Sequence, residues 1–308
     1  MTIQRRLFLK SGAALMGAGI LSSVPSSLWA SSSMTLGTMQ IDVVSDGYLQ
    51  LPMNFLFPDV DEKERDAFLT SHGLPTDMAK PDCNLTLIRD GERTILFDAG
   101  SGANFIPSAG KIVDALDAIN VDPSEITHVV LTHAHPDHLW GIEDEFGDPL
   151  FYEAEHMISK VEFDFWYDDN TVNLMGEGRE AFAIGAKRRL EMLEENNLTT
   201  FQFDDEILPN IRAVDSRGHT PGHSSFEVRS GNQSLLIIGD ALVNQHIAFE
   251  RPKWPSGSDQ DTEQGIATRL KLLDQITTDD MLLIGFHMPY PGIGRAEKKD
   301  NAYRFVSA

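Results

Sequence analysis

The chain has 308 residues, 41 % hydrophobic and 23 % charged, which is an ordinary globular composition with enough apolar mass for a large core. One cysteine, Cys83, excludes a disulfide scaffold. Lys and Arg number 25 against 47 Asp and Glu, a net charge of −22 that repels phosphate backbones and anionic surfaces, so neither nucleic acid nor a membrane is an expected partner.

Residues 1–30 stand apart. They carry Arg5, Arg6 and Lys10 and no acid, then a Gly- and Ala-rich apolar stretch over 11–24, then small residues to Ala30. That order reads as the three regions of an export segment. Arg5-Arg6-Leu7-Phe8-Leu9-Lys10 resembles the twin-arginine export signal. The resemblance implies export of a folded protein to the periplasm or cell exterior. It leaves 31–308 as a single domain, which lacks any run of about 18 apolar residues and so excludes a polytopic membrane protein.

The next elements follow in chain order. Residues 39–44 and 48–51 read as a hairpin around Asp46-Gly47, and 84–89 and 94–98 as a second around Asp90-Gly91. The spacing predicts a short helix over 111–120, with Ile112, Val113, Leu116 and Ile119 on one face. Residues 128–131 read as a buried strand, 177–196 as a long helix, and 211–214, 224–228 and 235–238 as strands. A helix over 262–275 and a last strand over 281–285 complete the order. Strands and helices thus alternate across two halves, which points to a layered α/β sandwich. Residues 55–80 and 244–261 read as loops over a site.

The chemistry concentrates in Thr132-His133-Ala134-His135-Pro136-Asp137-His138. Four metal-capable side chains follow directly on an apolar strand. A loop at a strand end can converge them on one point. His133 and His135, two apart, share a face in extended backbone, and Pro136 then turns the chain. Downstream, three more strand ends deliver polar groups: Gly218-His219-Thr220-Pro221-Gly222-His223, Ile238-Gly239-Asp240 and Gly285-Phe286-His287.

This set resembles the metallo-β-lactamase superfamily, with its His-x-His-x-Asp-His motif, over nearly the whole of 31–308. Within it the chain is most similar to the methyl parathion hydrolase type, in Gly218 to His223 and in Pro291-Gly292-Ile293-Gly294. The resemblance implies a four-layer αββα sandwich with two divalent metal ions. His133, His135 and His219 would hold one ion, and Asp137, His138 and His287 the other. Asp240 would bridge both, so Asp137 and Asp240 are the carboxylates expected to serve catalysis. Imidazole and carboxylate donors suit Zn²⁺, the expected metal, and also Mn²⁺, Fe²⁺ or Co²⁺. His223 reads either as a buttress beside a ligand or as a turn histidine. Asp98 is expected to orient a ligand, and His72, His128, His156 and His246 are read as non-ligands.

Two cations about 3.5–4 Å apart can bridge one water and form hydroxide near neutral pH. The expected enzyme is therefore a hydrolase of lactones, aryl esters or phosphotriesters. No Gly-x-Ser-x-Gly elbow competes with that reading. Phe105, Trp166 and Phe182 align with the leaving-group pocket of the methyl parathion hydrolase type. With no basic residue nearby in sequence, they point to a small, neutral, apolar ester or lactone-like substrate. A homodimer is compatible with the chain. The alternatives are a metal-dependent sulfur oxygenase or oxidoreductase, or a non-catalytic metal-binding protein, on the same scaffold.

Overall fold

In the computed structural model of the protein, described for residues 31–176 and 178–308, apolar side chains alternate along most strands. Ile95 and Phe97 face one way and Leu96 the other, as strand geometry requires. A strand buried on both faces needs a layer on each side, and the fold supplies them. The export reading of 1–30 lies outside the described residues, as does Glu177.

One sheet runs, in spatial order, β1 (Ser31–Leu36), β2 (Met39–Tyr48), β5 (Asp82–Arg89), β6 (Thr94–Phe97), β7 (His128–Val130), β8 (Glu155–Ser159) and β9 (Leu198–Phe201). The other runs β10 (Glu206–Leu208), β11 (Ile211–Asp215), β12 (Ser224–Ser230), β13 (Gln233–Ile237), β14 (Leu282–Ile284), β15 (Ile293–Lys299) and β16 (Ala302–Ser307). A separate pair, β3 (Leu51–Pro52) and β4 (Met78–Ala79), lies beside them. Ile41, Val43, Ile88 and Phe97 meet Ala213, Phe226, Leu235 and Ile284 between the sheets.

Helices cover the two outer faces. On the first sheet lie α3 (Ile112–Ala118), α5 (Lys160–Tyr167), α6 (Thr171–Met175) and α7 (Glu180–Glu195). Ala183, Ala186, Leu190 and Leu193 of α7 recur every three or four residues and form its buried stripe. Each such Leu contributes about 1.5–3 kcal/mol on burial. On the second sheet lie α8 (Ile247–Glu250) and α9 (Thr262–Thr278), through Phe249, Leu272, Leu273 and Ile276. The expected αββα sandwich is the observed one. A flap of α1 (Met53–Leu56), α2 (Glu62–Ser71) and β4 packs against Ile247 through Met53, Phe57, Phe68 and Leu69. The two stretches read as loops over a site, 55–80 and 244–261, are not plain loops: the first carries α2 and β4 and the second carries α8.

Three of the elements read from the sequence differ in the structure, and β1, β8, β9 and β10 are additional to them. Asp46-Gly47 is not a turn: β2 continues through it, with a bulge between Ser45 and Gly47 against β5. Gly47 takes φ +108°, and a Cβ there would meet the Ser108 carbonyl at 2.2 Å. The bulge aims Asp46 inward, where its carboxylate accepts from the backbone N–H groups of Ser101 (2.8 Å), Gly110 (3.0 Å) and Lys111 (2.7 Å), tying down the loop that carries Phe105. The long helix begins at Glu180. Finally, β14 is not the last strand, because β15 and β16 follow as a hairpin. The hairpin around Asp90-Gly91 forms as expected, with Arg89 opposite Thr94. Among the described residues no helix is long and apolar enough to cross a membrane.

Candidate metal centre

The parallel pairs β6–β7 and β13–β14 end at the same edge of the sandwich. Asp98, the motif from Thr132 to His138, Asp240 and His287 all leave from those ends. Pro136 is the first residue of α4 (Pro136–Leu139), which turns Asp137 and His138 back toward His133. The loop after β11 brings in His219.

Seven side chains converge there. His135 Nδ1 lies 3.0 Å from His133 Nε2 and 2.9 Å from His219 Nε2. His287 Nε2 lies 3.2 Å from Asp137 Oδ2, and His138 Nε2 3.5 Å from the same oxygen. Asp240 touches both sets: its Oδ2 is 3.3 Å from His219 Nε2 and from His287 Nε2, and its Oδ1 is 3.3 Å from His138 Nε2. The structure therefore brings together all seven residues expected to hold metal.

Neighbouring groups fix which nitrogen faces inward. His138 Nδ1 donates to Asp98 Oδ2 at 2.8 Å, so Nε2 points into the site. Asp98 also accepts from the Thr132 backbone N–H at 2.8 Å and holds φ +62°, a position short polar residues tolerate. His287 Nδ1 donates to the Asp82 carbonyl at 2.8 Å. Asp259, paired with Arg269 at 2.9 Å, lies 3.5 Å from His219 Nδ1.

Electrostatics separates the two sets. Burial pushes His133 and His135 well below the ordinary imidazole range, and neighbouring imidazoles push them further. Burial also pulls His138 down, but Asp240, Asp98 and Asp137 outweigh it and carry it up to about 10. For Asp240, burial acts upward, yet His287, His138 and His219 outweigh it and hold the carboxyl well below its usual range. A field that draws protons onto His138 draws any cation, and a metal competes with those protons. Asp137 Oδ2, His138 Nε2 and Asp240 Oδ1 are buried without hydrogen-bond partners. Such orphaned donors, all imidazole or carboxylate, fit divalent metal ions on either side of Asp240.

A cavity of about 600 Å³ opens on His135, Asp137, His219, Asp240 and His287. Its walls are largely apolar and include Leu49, Met53, Phe57, Phe105 and Phe182. Phe105 and Phe182 pack edge to face at 6.1 Å. Two of the three aromatic residues expected in the pocket are therefore there, and Trp166 is not. Trp166 is fully buried, and its indole N–H donates to Glu162 Oε1 at 2.6 Å. The cavity also has cations that the local sequence hid: Arg179 and Lys80 line it from distant segments. Arg179 is partly spent, since Nη2 donates to the Gly257 carbonyl at 2.8 Å and the guanidinium lies 5.0 Å from the Phe55 ring centre.

Glu162 is the residue the sequence reading missed. Its carboxylate accepts from Ala134 N–H (3.0 Å), Thr220 Oγ1 (2.7 Å) and Gly222 N–H (2.8 Å), joining the loop of His133 and His135 to that of His219. The only local signal is an acid four residues before a tryptophan in an aromatic helix. His128 and His156 lie on β7 and β8, away from the site. His72 and His246 meet at the cavity rim.

An αββα sandwich with this histidine and carboxylate set at one sheet edge defines a class, the metal-dependent hydrolases built on that scaffold. Residues 80–287 match the family model described as "Metallo-beta-lactamase superfamily". Uncharacterized protein ML0493 of Mycobacterium leprae is 25 % identical over 211 residues, covering 67 % of this chain and 87 % of that protein. Among solved structures, AidC, a dizinc quorum-quenching lactonase in complex with a product N-hexanoyl-L-homoserine, superposes with TM-score 0.86 at 24 % identity, over 91 % of this chain and 98 % of that one. The hydrolase AbOPH of the beta lactamase superfamily superposes with TM-score 0.82 at 25 % identity, over 90 % and 97 %. The chain belongs to the metallo-beta-lactamase superfamily, as one of its metal-dependent hydrolases.

Proposed function

We propose that the protein is a lactone hydrolase that works with two divalent cations, zinc by preference. One observation carries this reading: Asp240 meets both histidine sets at the floor of an apolar cavity. His133, His135 and His219 would hold one cation and Asp137, His138 and His287 the other, with Asp240 in reach of both sets. Two such cations supply Lewis acidity and an activated water. The chain's own residues do the rest. Asp98 and the Asp82 carbonyl fix His138 and His287. Asp240 would supply negative charge to both histidine sets. Phe105 and Phe182 contact the apolar part of the substrate and exclude water from it. The lactonase description of AidC supports the choice of a cyclic ester.

Aryl esters and phosphotriesters belong to the same proposal. They present an electrophilic carbonyl or phosphoryl centre and an apolar leaving group, and the aromatic walls of the cavity suit them. Placement with the methyl parathion hydrolase type rests on the 218–223 and 291–294 stretches and on Phe105 and Phe182. The proposal extends to twin-arginine export of 31–308 as one domain, on the strength of Arg5 and Arg6. Replacing both by Lys should leave precursor in the cytoplasm; unchanged periplasmic yield contradicts export by this route.

The test of activity is a panel of N-acyl lactones, aryl esters, phosphotriesters and β-lactams on zinc-loaded protein, with and without chelator. The reading expects the highest kcat/KM on a lactone and its loss with chelator. Turnover that survives chelation, or none on any lactone, contradicts it.

A further inference from the structure

A second cluster of metal-capable side chains lies at the cavity rim. His72 caps the C-terminus of α2, and α8 is preceded by His246 and ends on Glu250. His72 Nε2 is 2.8 Å from Glu250 Oε1, and His246 Nδ1 is 3.7 Å from that same oxygen. The two rings tilt together with centres 4.4 Å apart. One donor atom from each of the three residues lies within 4.8 Å of the others.

Hydrogen bonding orients these donors toward one another. His72 Nδ1 lies 3.0 Å from the Phe68 carbonyl, which can only accept, so Nδ1 carries the proton. Nε2 of His72 then turns toward a carboxylate oxygen. A lone pair facing that oxygen is repelled unless positive charge stands between them. His246 Nδ1 faces the same oxygen from α8, so three metal-capable side chains converge on one point. A divalent cation satisfies all three donors at once. Tetrahedral zinc with bonds of 2.0–2.1 Å sets its donors about 3.3 Å apart, and the contacts to Glu250 Oε1 straddle that spacing. Two further charges stand at the edge of the cluster: Lys299 Nζ approaches the other oxygen, Glu250 Oε2, at 3.7 Å, and Arg251 stacks over Phe68 at 4.8 Å.

We propose that His72, His246 and Glu250 form a further divalent-cation site, of zinc type, that ties the flap over the cavity to α8. Two imidazoles and a carboxylate are a recurrent three-donor set for zinc, with water in the fourth position. All three side chains are partly exposed, so that position is open to solvent. The site joins the cavity flap, through His72, to a residue of the cavity wall, His246. It also joins the two sides of the small core in which Phe68 and Leu69 pack on Ile247. Bound metal would add a link between the flap and α8 beside that core.

The test is independent of the dinuclear centre. Wild type, His72→Ala and Glu250→Gln are equilibrated with buffered zinc and assayed for zinc per chain by mass spectrometry. Circular dichroism checks the fold, with His246→Gln in reserve if either variant misfolds. The expected result is one equivalent fewer in each variant than in wild type. Zinc should also slow proteolysis within 55–80 in wild type more than in the variants. Equal zinc content in wild type and variants overturns the proposal, whatever Asp240→Asn does to the other centre.

Discussion

The backbone N–H of Asp240 donates to Nε2 of His223 at 3.0 Å. That bond requires His223 to carry its proton on Nδ1, which sits 3.1 Å from the Ser216 carbonyl and 2.8 Å from the Ser216 hydroxyl. Both ring nitrogens are committed, so His223 is a buttress for Asp240 and not a ligand. His223→Leu leaves a buried N–H unpaired, at a cost of about 1–3 kcal/mol in urea unfolding. It should also weaken zinc retention against a chelator by about 10–100-fold, as loss of a ligand's support does. Zinc retention equal to wild type counts against the buttress.

Asp240→Asn removes the charge placed between the two histidine sets. Zinc content and hydrolysis should fall together, because a neutral amide does not screen two cations. Glu153→Gln, at an exposed acid, is the control and should change neither. Equal effects from the two substitutions would make Asp240 merely one acid among many.

Trp166 and Phe182 should now behave differently. Phe182 lines the cavity, so Phe182→Ala should alter preference among substrates by about 10–200-fold in kcat/KM and leave zinc bound. Trp166→Phe keeps the bulk but removes the donor to Glu162, which holds the loops of His133 and His219. It should loosen zinc and slow all substrates alike. A change of preference without zinc loss in Trp166→Phe would return that residue to the pocket wall.

Burial on β8 lowers the His156 imidazole to about 4. An exposed imidazole titrates at about 6.5. Below that pH the unfolded chain takes up a proton the folded chain refuses. The contribution is fully present above about 6.5 and is lost as pH falls toward about 4, amounting to about 2 kcal/mol at about pH 5. Urea unfolding of wild type and His156→Leu at about pH 7.5 and about pH 5 measures it. Wild type should lose about 2 kcal/mol more than the variant; equal losses contradict the assignment.

The sequence displayed the parts of the site that are local. The motif from His133 to His138 is contiguous, and Asp240 and His287 follow apolar runs at strand ends, so the pattern alone singles them out. The two halves and most strands between Asn84 and Ile284 were legible for the same reason, as buried apolar runs. What stayed hidden depends on contacts far apart in the chain. Arg179 reaches the cavity from a segment with no local sign of it. Trp166 faces Glu162 and not the cavity, a choice that helical rotation makes and composition does not. Asp46-Gly47 gives a positive φ that a turn and a bulge use equally, so only the partner strand β5 decides. The hairpin β15–β16 is half exposed and charged, which blurs the apolar signal of a strand.

The central claim is that two cations sit on either side of Asp240. Crystals of zinc-equilibrated protein, measured above and below the zinc absorption edge, test it most directly. The account predicts two anomalous peaks flanking the Asp240 carboxylate, one among His133, His135 and His219, the other among Asp137, His138 and His287. A single peak, or none, at Asp240 contradicts it.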